Sequence, residues 1–170
     1  EIIEWSSSDL LTNELEVLGF YFSNHPLSLY PKNYFVKNNI VDFDDVIADT
    51  DIDHSKVAGA ILDIKERSNK DGRKYAFLTI SNSKAQFELS IFSDKLREFR
   101  HLIKEGNVLI FHIDISRDNE NIRMIIRKIE DLDRVFSNQR QKYNVFLSDI
   151  SDFKLIDSVL KNSDNNLNEL

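Results

Sequence analysis

The sequence predicts a mainly β domain with flanking helices, in which five short strands close into a barrel and one helix sits between the third and the fourth. Three observations carry this. Apolar residues recur at every second position in five separate runs between Lys56 and Glu130, the two-residue period gives way once to a helical one after the third run, and turn residues stand at the joints.

The first strand is read over Lys56 to Arg67, with Ala58, Ala60, Leu62 and Ile64 as its apolar side against Gly59, Asp63, Lys65 and Arg67. The second, Arg73 to Ser81, puts Ala76, Leu78 and Ile80 on one face and Tyr75, Phe77 and Thr79 on the other. In the third, Lys84 to Phe92, the apolar face is Phe87, Leu89 and Ile91. From Ser93 to Ile103 the residues Leu96, Phe99, Leu102 and Ile103 fall at helical spacing, with Ser93 or Asp94 as the cap and Gly106 as the stop. The fourth strand, Val108 to Ser116, turns Leu109, Phe111, Ile113 and Ile115 inward, and the fifth is Ile122 to Ile129. Turns are expected at Asn69 to Gly72, at Asn82 and Ser83, and at Arg117 to Asn121. This is the order of a five-stranded OB barrel, whose closure hides strand edges that would otherwise aggregate.

Three regions follow from this: an N-terminal helix and wrapping linker over 1–55, the barrel over 56–130, and a helix with the start of a further domain over 131–170. In the first, Trp5 is an aromatic anchor, Ser6 to Ser8 cap a helix from Asp9 to Leu18, and Gly19 stops it. The apolar stripe of that helix is expected to pack on the barrel. Residues 29–53 read as a linker with a short helix or turn. In the third region, Asp131 to Lys142 reads as a helix, Tyr143 to Ile150 as a strand and Asp152 to Leu160 as a short amphipathic helix.

At 170 residues the chain suits one well-packed domain with appendages, and its first residue, Glu rather than Met, suggests a piece of a longer protein. Without cysteine there is no disulfide frame, zinc knuckle or thiol chemistry, and no run approaches the ~20 apolar residues of a membrane span, so a cytoplasmic location is expected. His25, His54, His101 and His112 are scattered, and Asp42, Asp44, Asp45 and Asp49 lack the glycine and terminal glutamate of a calcium loop. No metal site or cofactor is therefore expected. No nucleophile stands beside a recognisable base and there is no phosphate loop, so no catalytic residue is assigned.

The net charge of −7 speaks against a polyanionic partner, but its distribution does not, because the barrel carries +4 and the remainder −11. Tyr75 and Phe77 share the outward side of strand two, with Arg67, Lys70, Arg73, Lys74 and Lys84 in or beside its loops. Arg117 and Arg123 flank the turn between strands four and five. Rings that stack on bases beside cations that meet phosphates suit single-stranded nucleic acid, and the small surplus predicts weak, salt-sensitive contact. The alternative is a protein-interaction scaffold whose aromatics dock on a neighbouring domain.

The run Leu18 to Leu27 (LGFYFSNHPL), ahead of this strand pattern, resembles the region before and through the OB domain of the bacterial replicative DNA polymerase III alpha subunit, a C-family polymerase. Leu18, Gly19, Phe20, Tyr21, Ser23, His25, Pro26 and Leu27 match its Leu-Gly-Phe-Tyr-Leu-Ser-Gly-His-Pro-Leu pattern, while Phe22 and Asn24 depart from it. Gly72, Ala76 and Phe77, Glu88, Phe92, and Glu105 with Gly106 match further along. The resemblance implies that the polymerase site, built on magnesium-holding aspartates, lies in an earlier domain and that this piece is noncatalytic. It also implies contact with single-stranded template and, through a tau-binding-type domain after the barrel, with the clamp-loader tau subunit and other polymerase domains. The family's clamp-binding peptide lies upstream; Gln86 to Phe92 is a look-alike read as barrel core. An anticodon-binding OB domain of a class II tRNA synthetase is a weaker match, because the Phe20 to Leu27 run does not belong to it.

Overall fold

A computed structural model describes residues 6–118 and 121–138. Trp5, the strand over 143–150 and the helix over 152–160 lie outside the described residues. Five strands form a closed barrel in the order β1-β2-β3-β5-β4, where β1 is His54–Ser68, β2 Lys74–Ser81, β3 Gln86–Phe92, β4 Val108–Asp118 and β5 Asn121–Asp131. All pairings are antiparallel except the parallel contact of β3 with β5 that closes it. The interior is buried and mostly aliphatic, built around Ile61, Leu78, Ile80, Leu89, Ile91, Leu109, Ile113 and Ile126 with the ring of Phe111 among them. These are the faces that the period of two assigns to β2, β3 and β4.

The first strand corrects the expectation. Its core side is Val57 and Ile61, one register away from the Ala58, Ala60 and Leu62 side, and Ile64 reaches the core only because a bulge shifts the register between Ile61 and Asp63. An inserted residue exchanges the two faces of a strand, so Val57 and Ile64, of opposite parity, both point inward. β1 is long because it serves both sides of the barrel, pairing with β4 through His54 to Ala60 and with β2 from Ala60 to Ser68. Gly59 stands where it passes from one partner to the other. A Cβ there would lie 2.7 Å from the Ser81 carbonyl oxygen and closer still to Ile80 Cγ2, so the bare backbone is what lets β2 approach.

Two turns start the strands later than expected. Asn69 Oδ1 accepts the N–H groups of Asp71 and Arg73, at 3.1 and 2.8 Å, and Gly72 takes the left-handed φ of 74° that closes the turn. Asn82 Oδ1 likewise accepts from Lys84 and Ala85, which holds Lys84 in the turn and begins β3 at Gln86.

The helix between β3 and β4 is shorter than its pattern. Its regular part is Ser93–Glu98; Phe99 leaves the helix, Leu102 follows in a turn and Ile103 in irregular backbone, yet Leu96, Phe99 and Ile103 all reach the core. Neither Ser93 nor Asp94 caps it, because Ser93 is already helical and the cap position falls to Phe92. Numbering helices along the chain, α1 is Ser7–Leu18, α2 Lys32–Lys37, α3 Phe43–Ala48, this helix α4, and α5 Leu132–Asn138. A second cluster outside the barrel joins Tyr34 and Ile40 to Ala58, Ile110 and Leu132, with Phe136 of α5 edge-on to Tyr30 and Tyr34 at 5.3 and 4.9 Å. The compact unit thus runs on through α5 to Asn138.

The Leu18 to Leu27 run is a clasp. Ser6 Oγ caps α1 by accepting from the Asp9 N–H, and Gly19 ends it at a φ of 75°. The buried Glu14 carboxylate then accepts the N–H groups of Phe22 and Ser23 and the Ser23 hydroxyl. The hydrogen bonds from Ser23, side chain and backbone, hold its pKa below the usual carboxylate range against the pull of burial, with Phe22 adding to them. His25, also buried, accepts the Leu27 N–H at Nδ1 over 3.1 Å, which leaves the proton on Nε2 to be donated to Ser81 Oγ at 3.0 Å. One imidazole therefore caps the 3-10 turn Pro26–Leu29 and ties it to the end of β2. The turn histidine is structural.

Candidate nucleic-acid interface

The alternation of β2 turns Tyr75 and Phe77 outward together, each half-buried, with their rings edge-to-face at 5.6 Å. Cross-strand register extends this pair sideways. Tyr75 stands opposite Arg67 of β1 and Phe92 of β3, and Phe77 stands opposite Lys65 and Ser90. The Phe92 ring lies 6.3 Å from Tyr75 at a tilt of 31° and is 51% exposed, while the Arg67 guanidinium sits 5.8 Å from the centre of Phe77. Three strands thus present rings edged by a cation, an arrangement on which bases stack and phosphates are neutralised. Arg73 and Lys74 continue it at the rim, and Lys70 is exposed in the same turn. No described residue forms an ion pair with any of these three.

Other candidates from the sequence stand elsewhere. Lys84 Nζ donates to Asp42 at 2.6 Å and lies 3.9 Å from Asp44, so its charge is spent on the linker acids. The Arg117 guanidinium donates to the carbonyls of Val46, Asp49 and Ile52, at 2.7 to 2.8 Å, and pins α3 to the barrel. Its two terminal nitrogens are committed to backbone, its Nε is buried, and it is not poised for phosphate. Arg123 is exposed on β5, opposite Ser116.

The outward side of β4 and β5 is different in kind. There Arg127 and His54 pair with Asp114, and Lys128 and His112 pair with Glu130. Burial pushes the Glu130 carboxyl up, but the hydrogen bonds from His112 and Lys128 outweigh it and hold the group below its usual range. Cations on this side are neutralised within the chain, whereas beside the rings Lys65 pairs with Asp63 but Arg67, Lys70, Arg73 and Lys74 have no ion pair among the described residues. Phe92, which the sequence marks as a strand end and a point of the family resemblance but not as a binding residue, completes the platform. Its parity was the available signal, since Phe87, Leu89 and Ile91 inward leave Phe92 outward. Among the described residues no group of three or more His, Cys, Asp or Glu could hold a metal ion, and no helix is long and apolar enough to cross a membrane.

Residues 56–132 match the family model described as OB-fold nucleic acid binding domain. A DNA polymerase III subunit alpha from Borreliella burgdorferi is 28% identical over 168 residues, covering 95% of this chain and 14% of that protein. One from Buchnera aphidicola is 30% identical over 135 residues, 78% of this chain and 11% of its own length. Among solved structures, a mitochondrial single-stranded DNA binding protein from S. cerevisiae superposes with a TM-score of 0.42 at 12% identity, covering 49% of this chain and 96% of that one. The chain thus spans 11 to 14% of the length of these curated relatives.

Proposed function

On the premise that this chain is a relative of the DNA polymerase III alpha subunits, matching them through their OB-fold region, we propose that it is a noncatalytic domain that touches single-stranded template during chromosomal replication. The outward aromatic strip of Tyr75, Phe77 and Phe92 beside Arg67, Lys70, Arg73 and Lys74 carries this reading. The rings take successive bases and the cations take the phosphates, with Arg123 near the β4–β5 turn as an outlying contact. A surface of this kind reads the backbone and the faces of the bases, so it carries little sequence preference.

The polymerase supplies the chemistry from its other domains, in the cytoplasm. By the same kinship the clamp-loader tau subunit and other polymerase domains are its further partners.

Titrating the chain with labelled oligothymidylate is expected to give a micromolar or weaker Kd at ~50 mM salt that weakens steeply as salt rises. Tyr75→Ala or Phe77→Ala should cost about tenfold each, the order of one stacked base. No binding at low salt, or binding indifferent to both rings, contradicts the proposal.

A second reading is favoured by the end of α1 and the turn after it. Val17 and Phe22 are 80% and 78% exposed, and Leu18 and Phe20 about half, which is apolar surface suited to a neighbouring domain. If Tyr75 and Phe77 variants bind oligonucleotide normally but weaken assembly with the rest of the polymerase, the scaffold reading prevails.

A further inference from the structure

We propose that the groove between the β1–β2 turn and α4 carries the phosphodiester backbone of the strand whose bases stack on the β2–β3 rings. This rests on the template-binding reading above and extends it to a wall of the site, α4, that neither the strand pattern nor the outward parity of β2 points to.

The groove is about 810 Å³; Arg73 and Lys74 line one wall, and Arg97 and Arg100 of the α4 segment line the other. Its position follows from the sheet register. Tyr75 and Phe92 face each other across β2 and β3, and the residue before the first, Lys74, and the residue after the second, Ser93, line the groove. The platform's edge is therefore the groove's mouth, and a strand leaving the rings on that side runs between four cations.

Asp94 is the carboxylate in the lining, 3.5 Å from Arg97 in a pair whose two side chains are 82% and 94% exposed. Arg100 pairs with Glu66 of β1. Exposed pairs of this kind are weak, so both guanidiniums can exchange a carboxylate for a phosphate, whereas Arg73 and Lys74 have no charged partner among the described residues to give up. Arginine on α4 suits the task, because its planar fork matches a phosphate's oxygens.

The test compares an oligothymidylate of about 4 nucleotides, enough for the rings, with one of about 12, long enough to enter the groove. The chain, its Arg97→Gln/Arg100→Gln variant and its Tyr75→Ala variant are titrated with each across a salt series. The unsubstituted chain should bind the longer oligomer more tightly and with a steeper salt dependence. The α4 variant should keep its affinity for the short oligomer but lose the gain from length, with the slope of log K against log salt falling by about 1.4 for two lost phosphate contacts. Tyr75→Ala should weaken both oligomers. An unchanged slope and length gain in the α4 variant, with Tyr75→Ala still impaired, overturns the groove and leaves the platform standing. No binding of either oligomer by the unsubstituted chain overturns the template reading and the groove with it.

Discussion

Gly59→Ala is expected to destabilise the barrel by about 3 kcal/mol, at the upper end for overpacking. The new methyl group would meet the Ser81 carbonyl, at 2.7 Å, and the Ile80 side chain. Ile80 is fully buried and has nowhere to retreat, and Ser81 is backbone at the β1–β2 seam, paired to Ala60. Relief requires β1 and β2 to part just where β1 hands over from β4, so the whole closed sheet feels the change. For a chain of this size that corresponds to a fall in Tm of roughly 6 to 12 °C. Urea unfolding of the variant beside the parent measures it, and a difference within about 0.5 kcal/mol, the range of an ordinary surface substitution, would show that β2 does not need the bare backbone.

The second large effect is one of pH. Burial drives the His25 pKa down from 6.5 to about 4, with the contact to Ser81 opposing it. In the unfolded chain the imidazole takes its proton near 6.5, whereas in the folded one it resists until about 4, so falling pH favours the unfolded state throughout that window. The stabilisation is complete above about pH 6.5 and is lost progressively toward pH 4, about 3 kcal/mol in all and about 2 of it by pH 5. The carboxylates held low by partners, Glu14, Asp114 and Glu130, act in the same direction, but their loss begins at lower pH. Unfolding free energies at neutral pH and at about pH 5 should therefore differ by that amount in the parent and by much less in His25→Asn, which retains an acceptor for the Leu27 N–H. An equal pH slope in both proteins would place the effect elsewhere. The clasp matters because His25 fixes the segment after α1 to the strand that carries the rings.

What the sequence could disclose was set by range. Alternation is a local property, so the inward faces of β2, β3 and β4 and the outward pair Tyr75 and Phe77 are legible in it. β1 escaped because a bulge is invisible to a fixed period: Val57 and Ile64 cannot lie on one face of an unbroken strand. The α4 pattern ran too long because Ile103 buries itself, and Leu102 packs against the core, from irregular chain as they would from a helix. Lys84 and Arg117 were drawn to the interface by position alone, while their actual partners, Asp42 and the carbonyls of Val46, Asp49 and Ile52, lie 42 to 71 residues away in a linker whose path no periodicity reveals. The cations that remain beside the rings, Arg67, Lys70, Arg73 and Lys74, are those that no carboxylate among the described residues pairs with. This is how a chain of net charge −7 can keep a basic face.

Amide shift mapping by NMR, with oligothymidylate added to the isotopically labelled chain, tests that face most directly. The largest shifts should fall on Lys74 to Phe77 and around Phe92, with weaker ones along α4 and few on the outward side of β4 and β5, where the charges are already paired. Shifts confined to α1 and the turn after it, or spread evenly without saturation, would mean that the ring strip is no binding surface for single strands.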